Sequence, residues 1–215
     1  MPRIRVHSIF TSLDGYAAGP DQDADNPLGV GGQRLTGWIF DTAYGRAMIG
    51  QEGGTTGIDD SWIRRGDVGI GAHVMGRNMF GPVRGEWPDY SWTGWWGPNP
   101  PYHHDVFVLT HYPRPSLAME GGTTFHFVTD GLESALARAT EAAGGQDVRI
   151  GGGAATIRAA LAAGLVDELH VAVPPVLLGA GERLWDADGA WPSGYAVVER
   201  ESSDAVTHYR FERAS

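Results

Sequence analysis

The chain has no cysteine. That excludes a disulfide framework and any cysteine-ligated zinc or iron–sulfur centre, and it suits a reducing compartment, so a cytoplasmic location is expected. Positive charge is scarce as well: 16 basic side chains face 26 acidic ones, a net charge of -10 over 215 residues. Such a balance opposes binding to nucleic acid or to an anionic membrane, so any phosphate site has to be a local exception. Long apolar runs are also missing. The N-terminal MPRIRVHSIF lacks the apolar core of a signal peptide, and nothing approaches the roughly 18 apolar residues of a membrane span. No internal repeat is visible. These exclusions leave one domain, residues 1–215, with enough chain for a sizeable core.

What is present is an alternation of strand-like and helix-like runs. Ile4 to Thr11, Ala72 to Gly76, Asp105 to Thr110, Thr124 to Val128, Val148 to Gly151 and Glu168 to Val173 are apolar and rich in β-branched or aromatic residues, as strands require. Trp38 to Met48, Asp59 to Arg65, Leu132 to Ala143 and Ala154 to Ala163 carry helical spacing, with Asp130 as the expected N-cap of the third and Gly164 closing the fourth. Tyr195 to Ser203 and Val206 to Arg213 are separated by little more than a turn and read as a hairpin. Strands alternating with helices imply a mostly parallel sheet, here of about eight strands, with the hairpin as an antiparallel edge. Pro20 to Gly37 is a long polar loop, and loops of that length in compact domains often bind ligands.

Gly151, Gly152 and Gly153 stand between a strand and a helix. The first amides of a helix lack intrahelical partners and carry the positive end of its dipole, while glycines let an anion approach the backbone. A phosphate cradle and a tight structural turn both fit this pattern. A dinucleotide-binding Rossmann fingerprint does not. Thr156 stands where that motif has Gly or Ala, the segment lies two-thirds along the chain, and Asp167 and Glu168 come too early to hold a ribose.

Five segments in order, SLDGYAAG (12–19), VMGRNMF (74–80), VLTHYPR (108–114), IGGGAAT (150–156) and VDELHVAVPPVLLGAGERLW (166–185), resemble the dihydrofolate reductase-like superfamily. Within it they are similar to the reductase domain of riboflavin biosynthesis, the C-terminal domain of the bifunctional deaminase–reductase, and its stand-alone bacterial relatives. The resemblance spans nearly the whole chain. It implies an α/β fold with helices on both sheet faces, and NADPH as cofactor. It further implies that Gly151, Gly152 and Gly153, with the helix amides from Ala154 to Thr156, hold a pyrophosphate. Gly76 and Arg77 would lie near the adenosine phosphates, and Thr110, His111 and Arg114 around the 2′-phosphate. Thr11 would meet the nicotinamide carboxamide through its backbone, with Ala17 and Ala18 against the ring. By the same analogy the protein is a homodimer.

The substrate expected is a small heterocycle. Relatives of the riboflavin branch carry a Trp-Ile-Thr-like stretch followed by basic residues, whereas Trp38-Ile39 is followed here by Phe40 and no basic residue until Arg46. Asp41, the only acid in the equivalent helix, and Asp14, in the turn after the first strand, are the candidate catalytic acids. Glu182 or Arg183 in the Gly-Ala-Gly turn could reach a ligand. Trp87 to Tyr102 is broken by prolines and glycines yet holds four tryptophans, so it must pack on something: a lid on the substrate side, or a flap or subunit contact. The adjacent His103 and His104 point to opposite faces of a strand, and no metal is expected. A nucleotide-binding protein without turnover and a flavin- or deazaflavin-dependent oxidoreductase are the alternatives.

Overall fold

A computed structural model of the chain describes residues 2–185 and 194–214. The chain begins with β1 (Ile4–Phe10) and a short β2 (Tyr16–Ala18), then three helices, α1 (Gly37–Asp41), α2 (Ala43–Met48) and α3 (Ile58–Arg65). Next come β3 (Ile70–Gly76), the single turn α4 (Arg77–Phe80), β4 (Asp105–Leu109), a two-residue β5 (Leu117–Ala118) and β6 (Thr124–Val128). After α5 (Leu132–Ala142), β7 (Asp147–Gly152), α6 (Ala154–Ala162) and β8 (Glu168–Val173), the described chain ends with β9 (Glu182–Arg183), β10 (Tyr195–Ser202) and β11 (Thr207–Arg213).

One nine-stranded sheet runs in the order β10-β11-β8-β1-β7-β3-β4-β6-β5, and β2 pairs with β9 apart from it. The six neighbours from β8 to β6 are parallel, while β10, β11 and β5 pair antiparallel. The central strands are apolar because both of their faces are covered. On one face Val6, Val74, Phe107 and Ile150 meet Leu136 and Ala139 of α5 and Ile157 and Ala160 of α6. The opposite face has two separate covers. Trp38 of α1 and Ile63 of α3 pack with Ala172 and Val206, whereas Trp87, Trp92, Trp96 and Tyr102 pack on Met75, Val106, Val108 and Phe125.

Three local expectations change. The helix expected over Trp38 to Met48 is broken at Thr42, which is extended, and its Oγ1 accepts from the Gly45 N–H at 3.0 Å. The break brings the two pieces so close that a Cβ on Gly45 would stand 1.9 Å from the Ile39 carbonyl oxygen. The N-cap of α5 is Gly131, at φ 98, not Asp130, whose carboxylate instead accepts from Ser134 Oγ and Arg138. The main sheet has nine strands, not about eight. The additional β5 is two residues long and shows no periodicity to read.

Candidate active site

A cleft of about 1220 Å³ opens at the C-terminal ends of β1, β3, β4, β6 and β7, between the two covers on the second sheet face. This is where parallel α/β sheets present loops and helix N-termini to ligands. At that volume it exceeds the range of roughly 300–1,000 Å³ usual for a single small molecule.

Gly151, Gly152 and Gly153 line it together with Ala155 and Thr156 of α6. Gly153 caps α6 without any side-chain hydrogen bond, which leaves the first-turn amides free for a ligand. Gly152 has φ 136, a conformation closed to other residues, and the Gly152–Gly153 peptide is cis. At Gly153 a Cβ would stand in open space. At Gly76 it would meet Thr156 Oγ1 at 2.6 Å, so the Thr156 side chain of α6 reaches the end of β3 only because Gly76 carries none.

Beside this turn stand Arg77 and Arg84, which have no acidic partner among the described residues. Arg77 lies flat on the Trp87 ring, 3.6 Å from its centroid, and donates from Nη1 to Thr110 Oγ1 at 3.4 Å. Its Nε and Nη2 are buried and unpartnered. Arg84 also lines the cleft, donating to the Gly81 carbonyl at 2.9 Å and to Gln22 Oε1 at 3.2 Å. Burial, then the charge of Arg84, pushes the Arg77 guanidinium below its usual pKa, and Arg114 adds to the effect. Mutual repulsion of this kind is relieved by an anion.

Arg149 on β7 also lines the cleft. It donates to Asp67, to the Gly66 carbonyl at 3.5 Å and to the His7 carbonyl at 3.0 Å. Tyr44 OH donates to the other Asp67 oxygen at 2.5 Å, and desolvation with that hydrogen bond pushes the phenol up to about 12. The walls are Ile39, Phe40, Met48 and Ile63 from the helices and Trp95 and Trp96 from the aromatic segment.

Of the residues expected in the site, the structure brings together Ala17, Ala18, Gly76, Arg77, Thr110, His111, Gly151, Gly152, Gly153 and Thr156, with Glu182, along one cleft. Six others do not line it, among them Arg183, whose Nη2 donates to Tyr16 OH at 3.2 Å. Thr11 is buried, its amide bonded to the Ala172 carbonyl, and Ala154 is buried behind the turn. Arg114 is buried among Phe80, Trp87 and Phe127 and donates to the Tyr90 carbonyl. Asp41 is exposed at the end of α1, where its carbonyl accepts from Thr55. Asp14 caps a turn: its carboxylate accepts from the amides of Leu178 and Gly179, and these bonds, after that from Ser12, hold it down to about 2. In the aromatic segment the Trp87 ring carries Arg77 on its face, and Trp95 and Trp96 line the cleft. His104 bonds His73 at 2.6 Å. Arg149, Asp67, Tyr44 and Arg84 were not foreseen. Arg149 had a readable signal, a charge at an alternate position of an otherwise apolar strand.

The family model of the RibD C-terminal domain matches residues 4–192. The chain belongs to that family. Membership makes it a reductase-type oxidoreductase of the riboflavin-biosynthesis kind, with a dihydrofolate reductase-like α/β fold. A protein from Shewanella sp. PV-4 assigned to riboflavin biosynthesis superposes with a TM-score of 0.60 at 24% identity, covering 100% of both chains. A pyrimidine reductase-like protein from Corynebacterium diphtheriae gives 0.55 at 16%, covering 100% of this chain and 92% of the other. Dihydrofolate reductase from Enterococcus faecalis, solved with NADP(H), gives 0.54 at 14%, covering 99% and 97%. No curated protein sequence matches the chain.

Proposed function

We propose that residues 1–215 form one reductase unit that binds NADPH and reduces a small heterocycle by hydride transfer. One observation carries the reading. In a protein of net charge -10, a glycine turn without side chains shares a cleft with Arg77 and Arg84, which have no acidic partner among the described residues. Gly151, Gly152, Gly153 and the α6 amides would hold the pyrophosphate, and Gly76 would let it pass close to β3. Arg77, with Thr110 and His111, would take the 2′-phosphate, the feature that separates NADPH from NADH. Ala17 and Ala18 would lie against the nicotinamide, which supplies the hydride when bound. The protein's own part is orientation and exclusion of water, and Trp95 and Trp96 serve the second.

Neither acid expected to do chemistry lines the cleft, an observation that favours binding without turnover as the second reading. The two separate experimentally: consumption of NADPH in the presence of an acceptor belongs to the first alone.

Gly153→Val is the direct test. Val is compatible with the backbone at φ -75, and its side chain would occupy the open space of the cradle. The variant should fold and melt like the parent while its NADPH affinity falls at least tenfold. A folded variant that binds NADPH normally would remove the cradle. Gly152→Val is less useful, because φ 136 and the Met79 Sδ 3.2 Å away would strain any side chain there.

A further inference from the structure

Among the described residues Arg114 is the one arginine that is buried, at 8% exposed. Its guanidinium carbon stands over four aromatic rings, 5.7 Å from the centroid of Phe80, 5.0 Å from Trp87, 5.3 Å from Tyr90 and 5.0 Å from Phe127. Nη2 donates to the Tyr90 carbonyl at 2.9 Å, while Nη1 is buried without a partner. Asp89, the acid whose charge bears on this guanidinium, turns its carboxylate elsewhere and accepts from the Ser91 amide at 2.8 Å and from Ser91 Oγ at 2.6 Å. Pro113 and Pro115 flank Arg114 and restrict the backbone on both sides of it. A buried cation without a counter-ion is costly, and an apolar side chain of similar volume would fill an aromatic cage at less expense. The charge at this position therefore needs a reason other than packing.

The cage and the cleft have Trp87 in common. Arg77, which lines the cleft, lies 3.6 Å from the centroid of that ring. Little else directs the Arg77 guanidinium: its bond to Thr110 Oγ1 is long, at 3.4 Å, and its Nε and Nη2 are unpartnered. The plane of Trp87 therefore sets where the fork of Arg77 points. Trp87 is itself fixed by three things: the bond from Nε1 to the Tyr112 carbonyl, edge-on contact with Phe80 and Phe127, and the Arg114 cation. Phe80 and Phe127 are also walls of the cage, so the ring contacts that hold Trp87 are organised around Arg114.

We propose that Arg114 is a positioning residue for NADPH, which without lining the cleft holds Trp87, and through Trp87 the Arg77 guanidinium, in place for the 2′-phosphate. This rests on the reading of Arg77 as a ligand of that phosphate. It also gives the VLTHYPR segment a second role: Thr110 stands at the cleft, while Arg114, four residues on, supports the site through an aromatic ring.

The test is a double-mutant cycle on the full chain, Arg114→Met and Arg77→Met singly and together, with the affinities for NADPH and NADH measured by calorimetric titration. Arg114→Met should lower the NADPH-over-NADH preference at least about threefold while NADH affinity changes by less than about twofold, the size expected from loss of a cation–π contact. With Arg77 already replaced, Arg114→Met should leave the preference where it is, because the two residues act in series. Arg114→Gln, which also removes the charge, takes the place of the Met variant if that one does not fold, with the same expectation. An unchanged preference in the Arg114 variant would overturn the proposal, and so would an equal loss for both nucleotides, the mark of a residue that only supports the fold. A preference that survives Arg77→Met and falls when Arg114 is also replaced would overturn it in favour of direct contact between Arg114 and the phosphate. Absence of any preference in the parent protein would remove the 2′-phosphate reading and this inference with it, whereas a parental preference that Arg114→Met leaves intact would count against this inference alone.

Discussion

Ser8 lies in the left-handed region at φ 55, where β1 slips register between Val6 and Ile9. Its amide leaves the strand ladder and donates to His170 Nδ1 at 3.0 Å. That bond fixes the proton of His170 on Nε2, which donates to His208 Nδ1 at 3.0 Å, and His208 Nε2 donates to Asp59 Oδ1 at 3.0 Å. Trp62 stacks on both rings. A residue other than glycine in this conformation costs roughly 1–2 kcal/mol, and glycine's own entropy returns roughly 0.5–1 kcal/mol of any gain. Ser8→Gly should therefore be neutral or more stable by up to about 1 kcal/mol, and Ser8→Val less stable, in urea denaturation. The histidines also set a pH response. Burial, then Arg149, lowers His7 to about 3, and burial holds His170 well below its usual range. A neutral buried histidine binds fewer protons than the unfolded chain, so its contribution is complete above pH 6.5 and declines as pH falls towards the folded value, by about 1.4 kcal/mol per pH unit for each such residue. Unfolding free energy should drop between pH 6.5 and 4.5, and His7→Gln should flatten the slope. The Glu199 carboxylate, held down to about 2 by Arg65 first, acts only below that window.

At the scale of elements, the aromatic segment is the least regular part of the chain and one of its better packed. Trp96 stacks on Phe125 and meets Tyr102 edge-on, Trp92 donates to the Phe80 carbonyl at 3.0 Å, and Trp87 donates to the Tyr112 carbonyl at 3.0 Å while its face carries Arg77. Trp87→Leu removes that stacking, worth roughly 0.5–2 kcal/mol, so NADPH affinity should fall about three- to tenfold in a fluorescence titration. A fall confined to stability would show that Trp87 only supports the fold. The strands and α5 and α6 were legible because apolar runs and helical spacing persist over whole elements. The same is true of the glycine turn, whose chemistry is in the backbone. The break at Thr42 was not, since Ile39, Phe40, Ala43 and Ala47 keep helical spacing across it. Asp41 and Asp14 illustrate a further limit: sequence places an acid near a motif but does not say whether it faces the cleft, and one is exposed while the other is committed to two amides. Arg149 and Asp67, 82 residues apart, meet only because β7 inserts between β1 and β3.

On the scale of the whole molecule, the sheet divides its duties. The parallel strands from β1 to β6 end at the cleft, and β10 closes the other side as an edge with Val197 55% and Val198 47% exposed. An open apolar edge of this kind favours pairing with a second copy. Sedimentation should therefore give a species of twice 23.0 kDa at micromolar concentration, and Val197→Lys with Val198→Glu should dissociate it. A single species of 23.0 kDa in the parent protein would leave the edge exposed and the dimer refuted. In the proposed function the glycine turn, Arg77 and Thr110 hold NADPH. Charge-assisted hydrogen bonds contribute roughly 1.5–3 kcal/mol each, so a 2′-phosphate held by Arg77 and Thr110 should show directly in affinity. Calorimetric titration of the parent protein and Arg77→Met with NADPH and with NADH is the measurement. The parent should bind NADPH at least tenfold more tightly than NADH, and the variant should lose that margin; equal affinity for the two nucleotides, or binding of neither, would contradict a 2′-phosphate site at Arg77.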